Sequence, residues 1–180
     1  MNLRFASILL FAVLFVGSAC KKNDDDASEP TLYEKLGGTN MVTDPVSPSV
    51  MIEEGRLGIR SVVDSSIFVV AADPNLTPYS STLIVELANS NISGLTALSE
   101  NFTDFLCEAT GSENFSYNGL NMADAHDPTV NSRMEMVADD TDFDHFKAAV
   151  VAGATQNNLS SEIIDEISAL VETLRSDIVQ

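Results

Sequence analysis

The stretch "SSEIIDEISALVETLRSDIV", residues 160–179, most constrains what this chain can fold into. It sets Ile163, Ile164, Ile167, Leu170, Val171, Leu174 and Ile178 at spacings of mostly three and four, which on an α-helix form one apolar stripe. A helix of that length is not stable alone in water, so the stripe demands a core to lie against. Ser160 or Ser161 can cap it, and Glu162 suits its positive N-terminal end.

Further stripes precede it. "DTDFDHFKAAVVAGATQ" puts Phe143, Phe146, Ala149, Val150 and Ala154 on one face, with Asp140, Thr141 or Asp142 as caps and "NNLS" as the following turn. "TALSENFTDFLCEATG" aligns Leu98, Phe102, Phe105, Leu106 and Ala109 and stops at Gly111. "GRLGIRSVVDSSIFVVAADP" is apolar nearly all round after Val62, which suits a buried helix ended by Asp73-Pro74; its β-branched richness also admits a strand. "TLYEKLGG" makes a short amphipathic turn ended by Gly37-Gly38. No segment alternates with period two between hairpin turns. The expectation is one all-α domain over 31–180, with long loops near 39–55, 80–94 and 127–140.

The first nineteen residues read as an export signal: Arg4, an apolar run from about Ile8 to Val16, then small residues before Cys20. The run is too short to span a bilayer. Gly17-Ser18-Ala19-Cys20 resembles a bacterial lipobox, with Gly17 where an aliphatic residue is usual; an ordinary signal peptide with a free Cys20 is the other reading. Residues 20–30, "CKKNDDDASEP", form an acidic tether with no apolar anchor. Acidic runs there also resemble surface-export signals of Bacteroidetes lipoproteins. The expected location is therefore outside the cytoplasm, on a lipid anchor at the outer membrane, in the periplasm or at the cell surface.

Net charge is −18, and losing Arg4 with the signal makes it one unit more negative. That argues against nucleic acid and anionic lipid as partners. With Cys20 lipidated, Cys107 has no disulfide partner and is expected as a buried thiol.

"GLNMADAHDPTVNSRMEM", residues 119–136, holds His126, one of two histidines in the chain. A lone His is either a satisfied structural residue or a metal ligand. Several segments together resemble one family, the group 1 truncated haemoglobins. "TLYEKLGG" resembles their opening helix, and "SVVDSSIFVVAADPNLTPYS" is similar to their second helix and its turn. "FLCEATGSENFSYNGLNMADAH" resembles the distal helix through the "GG…Y-x-G…M…AH" signature, and the final helix pair resembles their closing pattern. The resemblance covers 31–179 with inserted segments. It implies a truncated globin-like helical sandwich, b-type haem and a diatomic gas ligand.

In that family the matched histidine is the proximal iron ligand, and it falls on His126. Met122, one helical turn earlier, faces the same porphyrin surface, and Tyr117-x-Gly119 ends the preceding segment. His145, in "FDHF", is expected to be exposed and structural. Met134 and Met136 are read as core or loop packing, with a sixth-ligand role as the alternative.

The resemblance also places Leu98, Phe102, Ile67 and Tyr79 against haem. Many members carry a Tyr and a Gln that hydrogen-bond oxygen; here those positions fall on Ile67 and Phe102, neither a donor. Tyr79 is expected to pack on the haem edge or supply a polar handle. Such a face argues against a tight oxygen store.

The implied function is a haem-binding gas carrier, sensor or redox protein whose electron donor the sequence does not name. The alternative is a globin-like surface module that has lost haem. Peroxidase-like or nitric-oxide-dioxygenase-like activity ranks last, since neither a distal His–Arg pair nor a reductase domain is visible.

Overall fold

A computed structural model describes residues 29–180. The expected signal segment 1–19, Cys20 and nearly all of the tether lie outside the described residues.

The chain is mostly helical, in the order α1 (Leu32–Lys35), a hairpin of β1 (Met41–Thr43) and β2 (Met51–Glu53), α2 (Glu54–Ala72), a 3-10 turn (Thr77–Ser80), α3 (Ser81–Ala88), α4 (Ser93–Ala109), α5 (Met122–His126), α6 (Asp140–Gln156), α7 (Ser161–Glu172) and α8 (Arg175–Ile178). Helix α2 is the middle layer, which is why it is apolar on more than one face. Val62 packs with Phe143, Val150 and Ala154 of α6 and with Ile167 and Val171 of α7. Ile59, Val63 and Ile67 pack against Leu106 and Cys107 of α4 and Tyr33 of α1. Val63, Val150 and Val171 are wholly buried, each stabilising the fold by roughly 1.5–3 kcal/mol. Phe68 escapes both faces and is exposed. The helical reading of this segment holds and the strand reading does not.

The boundaries follow from local chemistry. A capping box of Thr31 and Glu34 starts α1, and Gly37 (φ 114°) and Gly38 (φ 55°) end its turn in a backbone region that favours glycine. Pro74 drives Asp73 to an extended conformation (φ −82°, ψ 117°), and α2 stops there. Helix α6 is capped by Asp139, which pairs with Asp142 in a capping box, one residue before the caps expected from sequence. Ser160 caps α7 as expected. The stripe of 160–179 does not form one rod: α7 ends at Glu172, Thr173 and Leu174 make a turn, and α8 re-aims Ile178 into the core.

Two of the three expected loops carry structure. Residues 39–55 contain the antiparallel hairpin, with Val42 opposite Ile52. Its turn is held to α2 by Asp44, whose carboxylate accepts from Arg60 at 2.7 and 3.0 Å and from the Val46 amide at 2.8 Å. Residues 80–94 contain α3. Residues 127–139 are irregular and run as a strap from α5 past α3 to the chain's last residues. Asn131 Nδ2 donates to Ala125 O at 2.7 Å, Ser81 Oγ to Glu135 at 2.5 Å and the Gln180 amide to Ala138 O at 3.2 Å. Among the described residues, no helix is long and apolar enough to cross a membrane.

Candidate functional site between α4 and α5

The apolar side chains of α4 divide their work. Leu106 and Cys107 enter the core, whereas Leu98, Phe102 and Phe105 line a cavity of about 660 Å³. The opposite wall comes from Met122, Ala125 and His126 of α5; Tyr79, Leu83 and the strap residues Arg133 and Met134 complete the rim. A smaller apolar cavity of about 190 Å³ shares Phe102, Tyr79, Met134 and His126 and reaches Ile67 and Phe143. Small-molecule sites typically enclose roughly 300–1,000 Å³ behind mostly apolar walls with a few polar groups.

Asn121 starts α5 by accepting from the Asp124 amide, and Ala125 follows Met122 and precedes the half-buried His126. His126 Nδ1 lies 2.8 Å from Met122 O. A carbonyl only accepts, so Nδ1 carries the proton and Nε2 keeps its lone pair. Burial pulls the His126 pKa below its ordinary value, partly offset by the Met122 bond. The ring is therefore neutral at physiological pH, the form a metal needs. Among the described residues no three His, Cys, Asp or Glu side chains converge as a metal site. A metal at His126 thus needs its other donors from a ligand.

Aromatic rings stiffen the walls. Phe102 and Phe146 lie 6.0 Å apart between centroids, and Phe105 meets Tyr117 edge-on at 5.6 Å. The Tyr117 hydroxyl donates to Leu120 O at 2.7 Å, fixing the turn before α5.

Of the residues singled out from sequence, His126, Met122, Phe102, Leu98, Tyr79 and Tyr117 line the larger cavity and Ile67 the smaller one. Tyr79 offers a ring but no free handle: its hydroxyl donates to Asp142 Oδ2 at 2.5 Å and lies 3.1 Å from Val137 O. Burial and then the Asp142 carboxylate raise its pKa. Met134 lines both cavities, while Met136 is exposed. His145 lies elsewhere, its Nδ1 2.9 Å from Asp73 Oδ2, joining α6 to the end of α2. Cys107 is wholly buried and its thiol pKa is pushed up to about 11, chiefly by desolvation.

Several lining residues escape the sequence reading, among them Leu83, Arg133 and Asn101. Leu83 sits on a helix that no buried stripe marks, and Arg133 on an insertion without periodicity. Asn101 precedes Phe102 and lines the cavity, and its amide makes no hydrogen bond among the described residues. A position-by-position check of polar residues beside the α4 stripe would have found Asn101 alone.

No family model matches the sequence, and no curated protein matches it. Solved structures do match. Three variants of the truncated haemoglobin of Tetrahymena pyriformis in the Fe(III) form, one Tyr-to-Phe and two Gln-to-Glu, align with TM-scores of 0.60, 0.60 and 0.59. Each is 22% identical over 83% of this chain and 98% of its own. The chain has a truncated-globin-like fold.

Proposed function

We propose that this chain binds b-type haem in the cavity between α4 and α5, with His126 holding the iron through Nε2, and uses it to bind a diatomic gas. One observation carries the reading: α5 brings to the cavity a histidine whose other nitrogen is already held by Met122 O at 2.8 Å. That bond fixes the tautomer and ring orientation, as hydrogen bonds to ligating histidines generally do. When bound, haem would supply an iron able to take up a small gas. The truncated-globin-like fold supports the same reading.

The chain's own residues exclude water and hold the macrocycle. Phe102, Phe105, Leu98 and Met122 offer apolar area to a flat ring. Ile67, Leu98 and Phe102 offer a gas no hydrogen bond, and the Asn101 side-chain amide is the lining donor of α4; a seat against the apolar residues alone favours carbon monoxide and nitric oxide over retained oxygen. Export and a lipid anchor at Cys20 would place this chemistry outside the cytoplasm.

The second reading is a haem-free interaction module. It draws on α3, where Ile84, Val85 and Leu87 are exposed on one short helix. Absorption spectra of protein mixed with haemin separate the two. Wild type and His145→Ala are expected to show a Soret band that His126→Ala loses. Equal bands in wild type and His126→Ala would sink the ligand assignment, and no band in wild type would favour the module.

A further inference from the structure

The cavity is apolar and the protein strongly acidic, yet haem carries two carboxylates on one edge. Arg133 is the sole Lys or Arg among the residues lining either cavity. The other described cations are committed elsewhere: Lys35 to Glu166, Arg56 to Asp104, Arg60 to Asp44, Lys147 to Glu172 and Arg175 to a cluster of three carboxylates. Arg133 is half-exposed, where an edge group meets solvent.

Arg133 holds Glu86 of α3 through two parallel bonds, Nη1 to Oε1 at 2.9 Å and Nη2 to Oε2 at 2.8 Å. This fork-to-fork pairing is the geometry in which guanidinium recognises any planar carboxylate. The pair lies over the first turn of α4, where a methyl added to Gly94 would fall 1.9 Å from Glu86 Oε2 and 2.4 Å from Arg133 Nη2. The Ser93 amide there donates to Asn91 Oδ1 at 3.0 Å, and the turn carries the positive end of the helix dipole, which favours an anion. The far cavity differs. Asp142 lines it, and a carboxylate edge pointing there would meet a like charge.

We propose that Arg133 is the carboxylate anchor of the cavity and that Glu86 is a placeholder, displaced from Arg133 when a propionate of haem takes its seat. The macrocycle would then lie with its carboxylate edge toward the strap and its apolar edge toward Ile67 and Phe143. The strap would be a selectivity element, favouring tetrapyrroles that carry free carboxylates. This rests on the haem reading above.

The test compares protohaem with its dimethyl ester, which keeps the iron and ring but has no carboxylate. Titrations followed by the Soret band are run on wild type, Arg133→Gln and Glu86→Gln. Arg133→Gln is expected to weaken protohaem binding by about 10-fold, the scale of one charge-assisted carboxylate pair at a partly exposed site. Glu86→Gln removes the competitor and is expected to tighten it. Neither change should alter binding of the diester more than twofold, an order-of-magnitude margin. A merely structural ion pair predicts something else: both variants weaken both porphyrins alike, and that result overturns the anchor while leaving the haem reading intact. If wild type takes up neither porphyrin, the haem reading fails and the anchor with it.

Discussion

Gly153 of α6 lies so close to Ser66 of α2 that a methyl on Gly153 would fall 2.3 Å from Ser66 Oγ and 2.8 Å from its backbone nitrogen. Ser66 is itself pinned, donating through Oγ to Val62 O at 2.7 Å. The main layer contact of the molecule therefore has no slack at this point. Gly153→Ala is expected to destabilise the fold by about 1–3 kcal/mol, the usual range for overpacking. Urea unfolding reads this directly, and an unchanged midpoint would show that the two helices can separate freely.

The gas-facing residues give a kinetic expectation. Ile67 and Phe102 carry no donor, and the Tyr79 hydroxyl is occupied by Asp142 and Val137. Haem-loaded protein should release oxygen quickly, and Phe102→Gln should slow that release by about 10-fold, the worth of one good hydrogen bond in a dry site. Carbon monoxide release should change much less. Stopped-flow measurements on Tyr79→Phe and Asn101→Ala are the controls: loss of a slow phase in either variant would make that residue the donor.

Strong acid should loosen the hairpin. Arg60 beside Asp44 holds its carboxyl down to about 2, below the usual aspartate value of about 3.9. A depressed folded pKa means stability that is complete above about pH 4 and is lost as pH falls toward about 2. Asn mimics protonated Asp, so Asp44→Asn should melt below wild type at pH 7, with the gap closing as pH falls through that window. A gap of equal size at pH 7 and pH 2 would contradict the assignment.

Cys20 lies outside the described residues, and its test is biochemical. If Cys20 bears lipid, the exported wild type should partition into detergent and Cys20→Ser should not. Aqueous partitioning of wild type would make the stretch before Cys20 an ordinary cleavage site.

Helices that bury one face were legible in the sequence. The stripes of α4, α6 and α7 announce themselves because their apolar residues recur at the helical period, and α2 because a middle layer must be apolar on more than one side. Helix α3 was not legible: Ile84, Val85 and Leu87 are exposed, so no buried stripe marks it. The hairpin was hidden by strands of three residues each, too short to show alternation. The break between α7 and α8 is invisible because apolar spacing continues through Thr173 and Leu174. At the site, His126 stood out only through its resemblance context. Arg133 and Glu86 are 47 positions apart on two surface segments, and pairing between exposed charges leaves no periodic trace.

Helix α5 has only five residues, fewer than two turns, and helices this short do not persist on local bonds. Besides packing against α8, it is held from outside by two side-chain hydrogen bonds: Asn131 reaches Ala125 O at 2.7 Å, and Gln180 Nε2 reaches Ala123 O at 2.9 Å. Both come from distant or irregular chain, so the turn carrying His126 keeps time with the strap and the residues after α8 rather than with the rigid α2–α6 layer. Its opening is expected to be a local event that costs less than global unfolding. A wall built this way would admit a bulky guest by letting one turn fray and reform, while the rest of the molecule stays folded.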